Sequence, residues 1–294
     1  DALPIWSLPF FEAQSHTFAE GVTVARSTIT QPGADPVAVI FTTDGLWIWT
    51  LDGAAPVKVL SEVPLTGDYV PKAIRVGDTI HVAWGTQSIN HAYGEIDGEW
   101  STSVVADGEK PTIAATEDGT VHMGWHAFEP EGFTAFYASW NGSSWQSEAV
   151  RLVEGTQAAR AWAGVASSGT NLWLAGTDTD DSIWLLRRDG DSWAEEALDV
   201  SAYVEGGPTF DQQIHAGPAG LAILFTINPT MASAGPRTGT YVSWRPSGGN
   251  AFETTIVGEG FTRIRQMPEL VVGQSAALVA EYDFDLALLW GLAP

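Results

Sequence analysis

The chain of 294 residues contains no cysteine, few lysines and no long apolar run. Without cysteine it can form no disulfide, no thiolate nucleophile and no cysteine-ligated metal centre. Apolar runs such as residues 286–292 are much shorter than the ~20 residues that a membrane helix requires. We therefore expect no membrane insertion.

Basic residues are scarce as well, with 13 Lys and Arg against 36 Asp and Glu and a formal net charge of -23. Such a polyanion is repelled by nucleic acid phosphates and by anionic lipid headgroups, so neither is an expected partner. The sequence begins at Asp1 without methionine, which is typical of a mature secreted or periplasmic protein. We expect that location.

What the sequence does contain is a repeat. A β-like segment ends three times in Asp-Gly or Asn-Gly with a tryptophan just after the turn, at residues 97–100, 141–145 and 189–193. Trp100, Trp145 and Trp193 begin the strand that follows each turn. A residue that recurs at one position beside a hairpin favours packing between repeat units over a ring of sugar-stacking aromatics.

Alignment on these turns predicts a unit of four short antiparallel strands, here called A to D, joined by tight hairpins. Weaker copies flank the three clear ones, and the last copy lacks one strand, which residues 5–11 can supply. The sequence thus predicts an all-β, six-bladed β-propeller, four antiparallel strands per blade, with the N-terminal strand completing the last blade. We expect a single domain, 1–294, with blades at roughly 20–63, 69–106, 108–152, 157–201, 205–258, and 263–294 plus 1–15.

The turn at residues 139–145 resembles a degenerate Asp box, the S-x-D-x-G-x-T-W hairpin of sialidases and related propellers. In that family the box is structural and lies away from the active face. Six-bladed fucose-binding lectins carry a similar outer strand, and their sites use an Arg, a Glu and an aromatic residue in each blade. We do not find that set repeated here. Residues 263–269 resemble the Arg-Ile-Pro motif of sialidases only loosely, so the resemblance implies the fold and not sialidase catalysis.

The D-to-A and B-to-C connections of a propeller share one face, around the mouth of the central channel. The D-to-A loops are long here, and six of the 13 basic residues fall in or beside the loops of this face: Lys72, Lys110, Arg160, Arg237, Arg263 and Arg265. Cations gathered in an acidic protein indicate an anionic group in the ligand, although each could instead pair with a neighbouring carboxylate. The predicted ligand-binding residues are Arg160, Arg263, Arg265, Lys72, Lys110, Tyr69, Trp84, Trp125 and Trp162.

Acidic residues and histidines in the same region are candidates for acid/base chemistry, since glycoside hydrolysis uses paired carboxyl groups. His91 and His126 are expected in B-to-C loops, whereas His81 and His122 recur inside B strands and are expected to be structural. No cofactor is expected, except that carboxylates in a loop can ligate calcium, for which Asp178, Asp180 and Asp181 are candidates and solvated turn residues the alternative. The candidate catalytic residues are Asp68, Glu205, Asp211, Glu269, Asp283, His91 and His126.

Three functions remain open at this point. The first is a secreted propeller that binds a carbohydrate or a similar polar ligand, anionic or neutral, at the channel mouth. The second is a glycosidase or polysaccharide lyase that acts on an acidic sugar at the same face. The third is a protein-interaction scaffold, since propellers host many functions.

Overall fold

The structure is a computed structural model of the whole chain, and the described residues are 25–29, 37–50, 55–61, 63, 71–154, 161–178, 182–200, 209–227, 239–259, 269–272, 276–282 and 286–292. These residues form β-strands and turns. Within these ranges no helix is long and apolar enough to cross a membrane.

The described strands form six antiparallel sheets that follow one another along the chain, five of four strands and one of three. In each sheet the strands lie side by side in sequence order. Sheet 1 contains β1 (Ala25–Ile29), β2 (Val37–Thr42), β3 (Gly45–Thr50) and β4 (Val57–Leu60). Sheet 2 contains β5 (Lys72–Val76), β6 (Thr79–Trp84), β7 (Ser88–Gly94) and β8 (Trp100–Asp107). Sheet 3 contains β9 (Glu109–Ala115), β10 (Val121–Glu129), β11 (Gly132–Trp140) and β12 (Trp145–Glu154).

The second half of the chain continues the same plan. Sheet 4 contains β13 (Ala163–Ser168), β14 (Asn171–Thr177), β15 (Ile183–Asp189) and β16 (Ser192–Glu196). Sheet 5 contains β17 (Thr209–Gly217), β18 (Gly220–Ile227), β19 (Gly239–Pro246) and β20 (Glu253–Glu259). Sheet 6 contains β21 (Glu269–Val272), β22 (Ala276–Tyr282) and β23 (Leu286–Leu292). The segment expected to complete it, residues 1–15, lies outside the described residues.

Consecutive sheets pack through their first strands, because β1 contacts β5, β5 contacts β9, β9 contacts β13, β13 contacts β17 and β17 contacts β21. Each of four hydrophobic clusters spans one sheet boundary, from the boundary of sheets 1 and 2 to that of sheets 4 and 5. The core therefore lies between sheets, where both faces of the middle strands are covered. Sheet 4 is a clear case, since Leu174 and Leu185 on adjacent strands are both 0% exposed.

The tryptophans that follow the Asp-Gly and Asn-Gly turns pack at these boundaries, as the repeat predicts. Trp100, Trp145 and Trp193 pack against clusters shared with the preceding sheet. The indole Nε1 of Trp145 donates to His91 Nδ1 at 3.2 Å, and that of Trp193 donates to Glu148 Oε1 at 2.9 Å. The rings of Trp145 and Trp193 thus combine apolar burial with a polar contact across the boundary, whereas Trp100 donates to the Glu95 carbonyl of its own hairpin at 2.8 Å.

The meander places the A-to-B and C-to-D hairpins on one face and the B-to-C and D-to-A connections on the other. Asn141 shows how a C-to-D hairpin is set, since its side-chain Oδ1 accepts from the backbone N of Ser143 at 3.0 Å and of Ser144 at 2.9 Å. An Asn side chain that binds its own backbone two residues on stabilises a tight turn. Gly142 completes the turn with a φ of 93°.

Two B-to-C loops are shorter than the sequence predicts. His91 lies inside β7 and His126 inside β10, so their prediction as loop residues is wrong. In sheet 2 the chain turns directly after Trp84 through Gly85, at a φ of 151°, and Trp84 pairs with Asn90. In sheet 3 the pairing of β10 with β11 continues to the Glu129–Gly132 pair. Both histidines are 0% exposed as a result.

Candidate functional site

A cavity of about 370 Å³ lies between sheets 4 and 5, and we call it the intersheet pocket. Its walls come from two A-to-B hairpins, residues 168–171 and 217–220, and from the C-to-D hairpin at residues 245–250. The pocket is therefore on the face opposite the predicted channel-mouth site. Its volume is at the lower end of the ~300–1,000 Å³ that is typical of small-molecule sites.

Glu196 is the centre of the charged wall of this pocket. Its Oε2 accepts from Arg245 Nη2 at 2.8 Å and from Trp173 Nε1 at 3.2 Å. Its Oε1 lies 3.3 Å from Arg187 Nε. Both carboxylate oxygens are engaged, and the side chains of Glu196 and Arg245 are 17% and 16% exposed. Such charge-assisted bonds hold the two guanidinium groups in place.

Arg245 is also fixed by a second contact, because its guanidinium lies 4.8 Å from the centre of the Phe252 ring. A cation over an aromatic face is attracted by the ring quadrupole. Arg187 is freer, with a side chain 48% exposed. The pocket thus has one rigid and one adaptable guanidinium beside a single carboxylate.

The same set of residues recurs at the boundary of sheets 3 and 4. There Arg188 binds Glu148 through a short Nη1–Oε1 contact, and its guanidinium lies 5.0 Å from the Trp193 ring centre and 5.2 Å from that of Tyr137. Glu148 follows Trp145 by three residues, just as Glu196 follows Trp193. An Arg, a Glu and an aromatic ring therefore come together at two boundaries, while the boundary of sheets 2 and 3 has Ser103 and Trp140 at the Glu and Arg positions, so the set is not repeated in each blade.

The residues that cover the arginine and bind the carboxylate distinguish the two boundaries. Between sheets 3 and 4, Trp193 Nε1 donates to Glu148, so the indole covers the carboxylate. Between sheets 4 and 5 the residue over the arginine is Phe252, which has no N–H, and Trp173 on β14 is the indole that binds Glu196. Among the described residues, the cavity of about 370 Å³ lies at the second boundary.

The three predicted ligand-binding tryptophans that the structure describes are core residues. Trp125 is 0% exposed, stacks on Phe136 at 5.5 Å and donates to the Asp107 carbonyl at 3.2 Å. Trp84 and Trp162 are 9% and 4% exposed. Trp84 and Trp125 lie on B strands whose successive side chains are buried on both faces, and Trp162 lies just before β13 in the hydrophobic cluster between sheets 4 and 5. Their rings are covered by protein and offer no open face for stacking a sugar.

The buried histidines form hydrogen-bonded arrays. His81 Nδ1 lies 3.1 Å from His91 Nε2, while His91 Nδ1 accepts from Trp145. His91 Nε2 must therefore carry the proton that His81 Nδ1 accepts. Burial, and secondarily the adjacent His81, lowers the pKa of His91 to about 3, and burial lowers the pKa of His81 to about 4.

The equivalent pair in sheet 3 is His122 and Tyr137. Tyr137 OH lies 2.8 Å from His122 Nδ1, and Thr116 Oγ1 lies 2.8 Å from His122 Nε2. Thr116 also donates to Asp118 at 2.7 Å, so His122 must donate to Thr116 and accept from Tyr137. His81 lies in β6 and His122 in β10, so their predicted positions inside B strands are confirmed, and these contacts support a structural role.

His126 differs from the other histidines that the structure describes, because neither of its ring nitrogens has a hydrogen-bond partner. Phe128 and Phe133 meet its ring edge to face at 5.4 and 5.9 Å. Burial, with a smaller effect of the Lys110 charge, lowers its pKa to about 3. A neutral imidazole in an apolar surrounding is the expected state.

The two predicted ligand-binding lysines lie on first strands, Lys72 in β5 and Lys110 in β9. The charge of Lys72, after burial, contributes to lowering the pKa of His215 to about 3. Asp178 follows β14, and its carboxylate binds Arg151 at 2.8 Å. The described residues contain no cluster of three or more metal-ligating side chains.

Much of the predicted channel-mouth site falls outside what the structure describes. This applies to the side chains of Asp211 and Glu269, whose backbones lie in β17 and β21. The remaining predicted residues outside the described ranges are Asp68, Tyr69, Arg160, Asp180, Asp181, Glu205, Arg263, Arg265 and Asp283. Their roles stay predictions.

The residues of the intersheet pocket were not among the sequence-based candidates. One signal was present, because residues 145–148 and 193–196 both read Trp-x-x-Glu. The arginine that pairs with each Glu lies one unit further along the chain. The register between units is needed to bring the two together, and the sequence alone does not contain it.

Comparison with solved structures identifies the fold. The lectin SapL1, solved with α-methyl fucoside, is similar over 91% of this chain and 92% of its own, with a TM-score of 0.60 and 13% identity. The fucose-binding lectin of Aleuria aurantia, solved as a six-bladed β-propeller, is similar over 93% of this chain and 92% of its own, with a TM-score of 0.57 and 11% identity. These likenesses show that the chain has a β-propeller fold. No protein-family model matches the chain, and no curated protein matches it in sequence.

Proposed function

We propose that the protein is a carbohydrate-binding β-propeller, and that the intersheet pocket binds the saccharide. The observation that carries this proposal is the convergence of Arg187, Arg245, Glu196 and Trp173 on one cavity of about 370 Å³. We further propose six blades, the last completed by the N-terminal strand, and a secreted or periplasmic location. The likeness to fucose-binding lectins supports the fold on which the proposal depends.

The chemistry of the pocket suits a saccharide. A sugar presents several hydroxyls, each of which loses a hydrogen bond to water on binding and needs a replacement. The guanidinium groups supply donors, and Asn171 and Asn250 supply both donors and acceptors. At Gly248 and Gly249 the wall of the pocket consists of backbone atoms alone, so a polar ring can approach it closely.

Binding is favoured over hydrolysis by the number of carboxyl groups. Most glycosidases need two, one on each side of the scissile bond. The described residues that line the pocket include one carboxylate, Glu196, and its two oxygens already face donors. The candidate pairs for a glycosidase or lyase belong to the channel-mouth face and await their own test.

The test is a glycan array followed by calorimetry on each saccharide that binds. We expect Glu196→Gln to weaken binding by about tenfold or more, because it removes the anchor of both arginines. The matched control is Glu148→Gln at the boundary of sheets 3 and 4, which changes the same group outside the pocket. It should bind within about twofold of the unchanged protein.

Three outcomes would contradict the proposal in different ways. Absence of binding to every saccharide would refute carbohydrate recognition. Binding that Glu196→Gln leaves intact would move the site to the channel-mouth face, where Arg160, Arg263 and Arg265 could be replaced in turn. Release of reducing ends from a bound oligosaccharide would show an enzyme.

A further inference from the structure

The charged residues of the intersheet pocket do not balance. Arg187 and Arg245 line it together with one carboxylate, Glu196, so the described lining has a net charge of one positive unit. This is unusual in a chain with a formal net charge of -23. At the boundary of sheets 3 and 4, by contrast, the single Arg188 is paired with Glu148.

We propose that the intersheet pocket selects a saccharide that carries one anionic group, a carboxylate or a sulfate, which binds between Arg187 and Arg245. This inference rests on the proposed function and names the class of ligand for the same pocket. Glu196 is the structural counterion that holds the two arginines. It neutralises one of their two positive charges, and the anionic group of the ligand neutralises the other.

The geometry of the two arginines supports this role. Arg187 uses its Nε for Glu196 at 3.3 Å, and in the described part of the chain its two terminal nitrogens make no hydrogen bond. A guanidinium presents five N–H donors in a fixed fork, and planar anions fit that fork with two parallel bonds. Since Glu196 approaches through Nε, the outer edge of the Arg187 fork remains available to a ligand.

Arg245 supplies the fixed side of the site. Its contacts with Glu196 at 2.8 Å and with the Phe252 ring at 4.8 Å restrain it before any ligand arrives. Its side chain is 16% exposed, so its interaction with a bound anion is less screened by water than at an open surface. A restrained group loses less conformational entropy on binding.

The acidic residues elsewhere in the chain repel an anionic ligand, whereas the two arginines of the pocket attract it. Salt screens the distant repulsion more strongly than the short-range attraction. The 36 acidic residues of the chain repel any anionic ligand at long range, but the Debye length is only ~8 Å at 0.15 M ionic strength. The contact with two guanidiniums at the pocket is shorter than that length. Binding should therefore be measured near 0.15 M salt, where the local attraction prevails.

The experiment compares matched neutral and acidic sugars. Methyl glycosides of glucose, galactose and mannose are paired with the corresponding uronic acid methyl glycosides, which differ only in a carboxylate at C6. Affinities for the protein are measured by calorimetry and saturation-transfer NMR. We expect at least one uronoside to bind about tenfold or more tightly than its neutral partner, the gain of one charge-assisted hydrogen-bonded contact.

The variants test which arginine is responsible. Arg187→Gln should reduce the preference for the uronoside to within about twofold, and Arg187→Lys, which keeps the charge, should retain part of it. Arg187 is about half exposed, so both variants should fold. The control Arg75→Gln removes the same charge at a surface site that pairs with Asp78, outside the pocket lining, and should retain the full preference.

The outcomes distinguish this inference from the proposed function. Equal affinity for acidic and neutral partners would overturn the charge selection and leave carbohydrate binding standing. A preference that Arg187→Gln does not change would overturn the assignment to this pocket. Failure of all six sugars to bind would overturn this inference, while the broader glycan array would still decide the proposed function.

Discussion

The buried array of His81, His91 and Trp145 makes stability depend on pH, and the next sheet provides the substitution that tests it. His91 pairs with Ala83, two residues after His81, and Tyr137 pairs with Gly124, two residues after His122. Tyr137 is thus the natural counterpart of His91. Its ring meets Trp193 edge-on at 5.1 Å, as the His91 ring meets Trp145 at 4.9 Å. His91→Tyr should therefore fit.

The magnitude follows from the shift of the His91 pKa from 6.5 to about 3. Between these values the unfolded chain binds a proton at this residue and the folded protein does not, so the free energy of unfolding falls as the pH falls below 6.5. At pH 5 the difference covers 1.5 pH units at ~1.36 kcal/mol each, which is about 2 kcal/mol. Above pH 7 this contribution to the pH dependence vanishes.

Urea unfolding at pH 7 and at pH 5, followed by circular dichroism, measures the effect. The unchanged protein should lose about 2 kcal/mol more than His91→Tyr between the two pH values. The control Tyr93→Phe keeps the stacked ring beside His81 and His91 and both titrating groups, so its pH dependence should be unchanged. If His91→Tyr lost as much stability as the unchanged protein, His91 would not be held neutral in the folded state.

Two further changes test the packing of the fold. Gly108→Ala should destabilise the protein by about 3 kcal/mol or more in urea unfolding, because the φ of Gly108 is 146° and a Cβ there would lie 2.4 Å from Trp125 Cδ1. The control is Gly190→Ala, where the φ is 59° and a Cβ would meet nothing within 4 Å. It should lower the free energy of unfolding by only about 1 kcal/mol. Arg188→Met should lower the unfolding free energy by about 2 kcal/mol, since Glu148 loses a charge-assisted bond across the boundary, and a variant as stable as the unchanged protein at low salt would contradict that reason.

The strand plan could be predicted from the sequence because turn residues carry it locally. Asn141 and Gly142 set a hairpin through contacts within four residues, so the turn is visible in the sequence. Strand ends are less predictable where a glycine at positive φ opens a short connection. Gly85 opens such a connection, residues 85–87, so β7 begins early enough to include His91.

The site could not be predicted in the same way, because the contact between Glu196 and Arg245 joins positions about one repeat apart, as do contacts at the other boundaries. Arg188 and Glu148 are 40 residues apart, and Trp145 and His91 are 54 apart. Which D strand packs on which C strand depends on how neighbouring sheets are arranged in space. A residue can be assigned to a strand from its own neighbourhood, whereas a partner across a boundary cannot be.

Three boundaries show how one repeat yields both scaffold and site. Between sheets 2 and 3 the position of Glu148 is taken by Ser103 and that of Arg188 by Trp140, and the space is filled by rings, with Trp140 5.4 Å from His91. Between sheets 3 and 4 an ion pair replaces some of the rings, and Trp193 covers it. Between sheets 4 and 5 the ion pair persists, but the covering residue is Phe252 and a second arginine, Arg187, has been added. The last step adds the half-exposed charge of Arg187, so of these three boundaries we expect a ligand at the one where Phe252 replaces the tryptophan of the repeat.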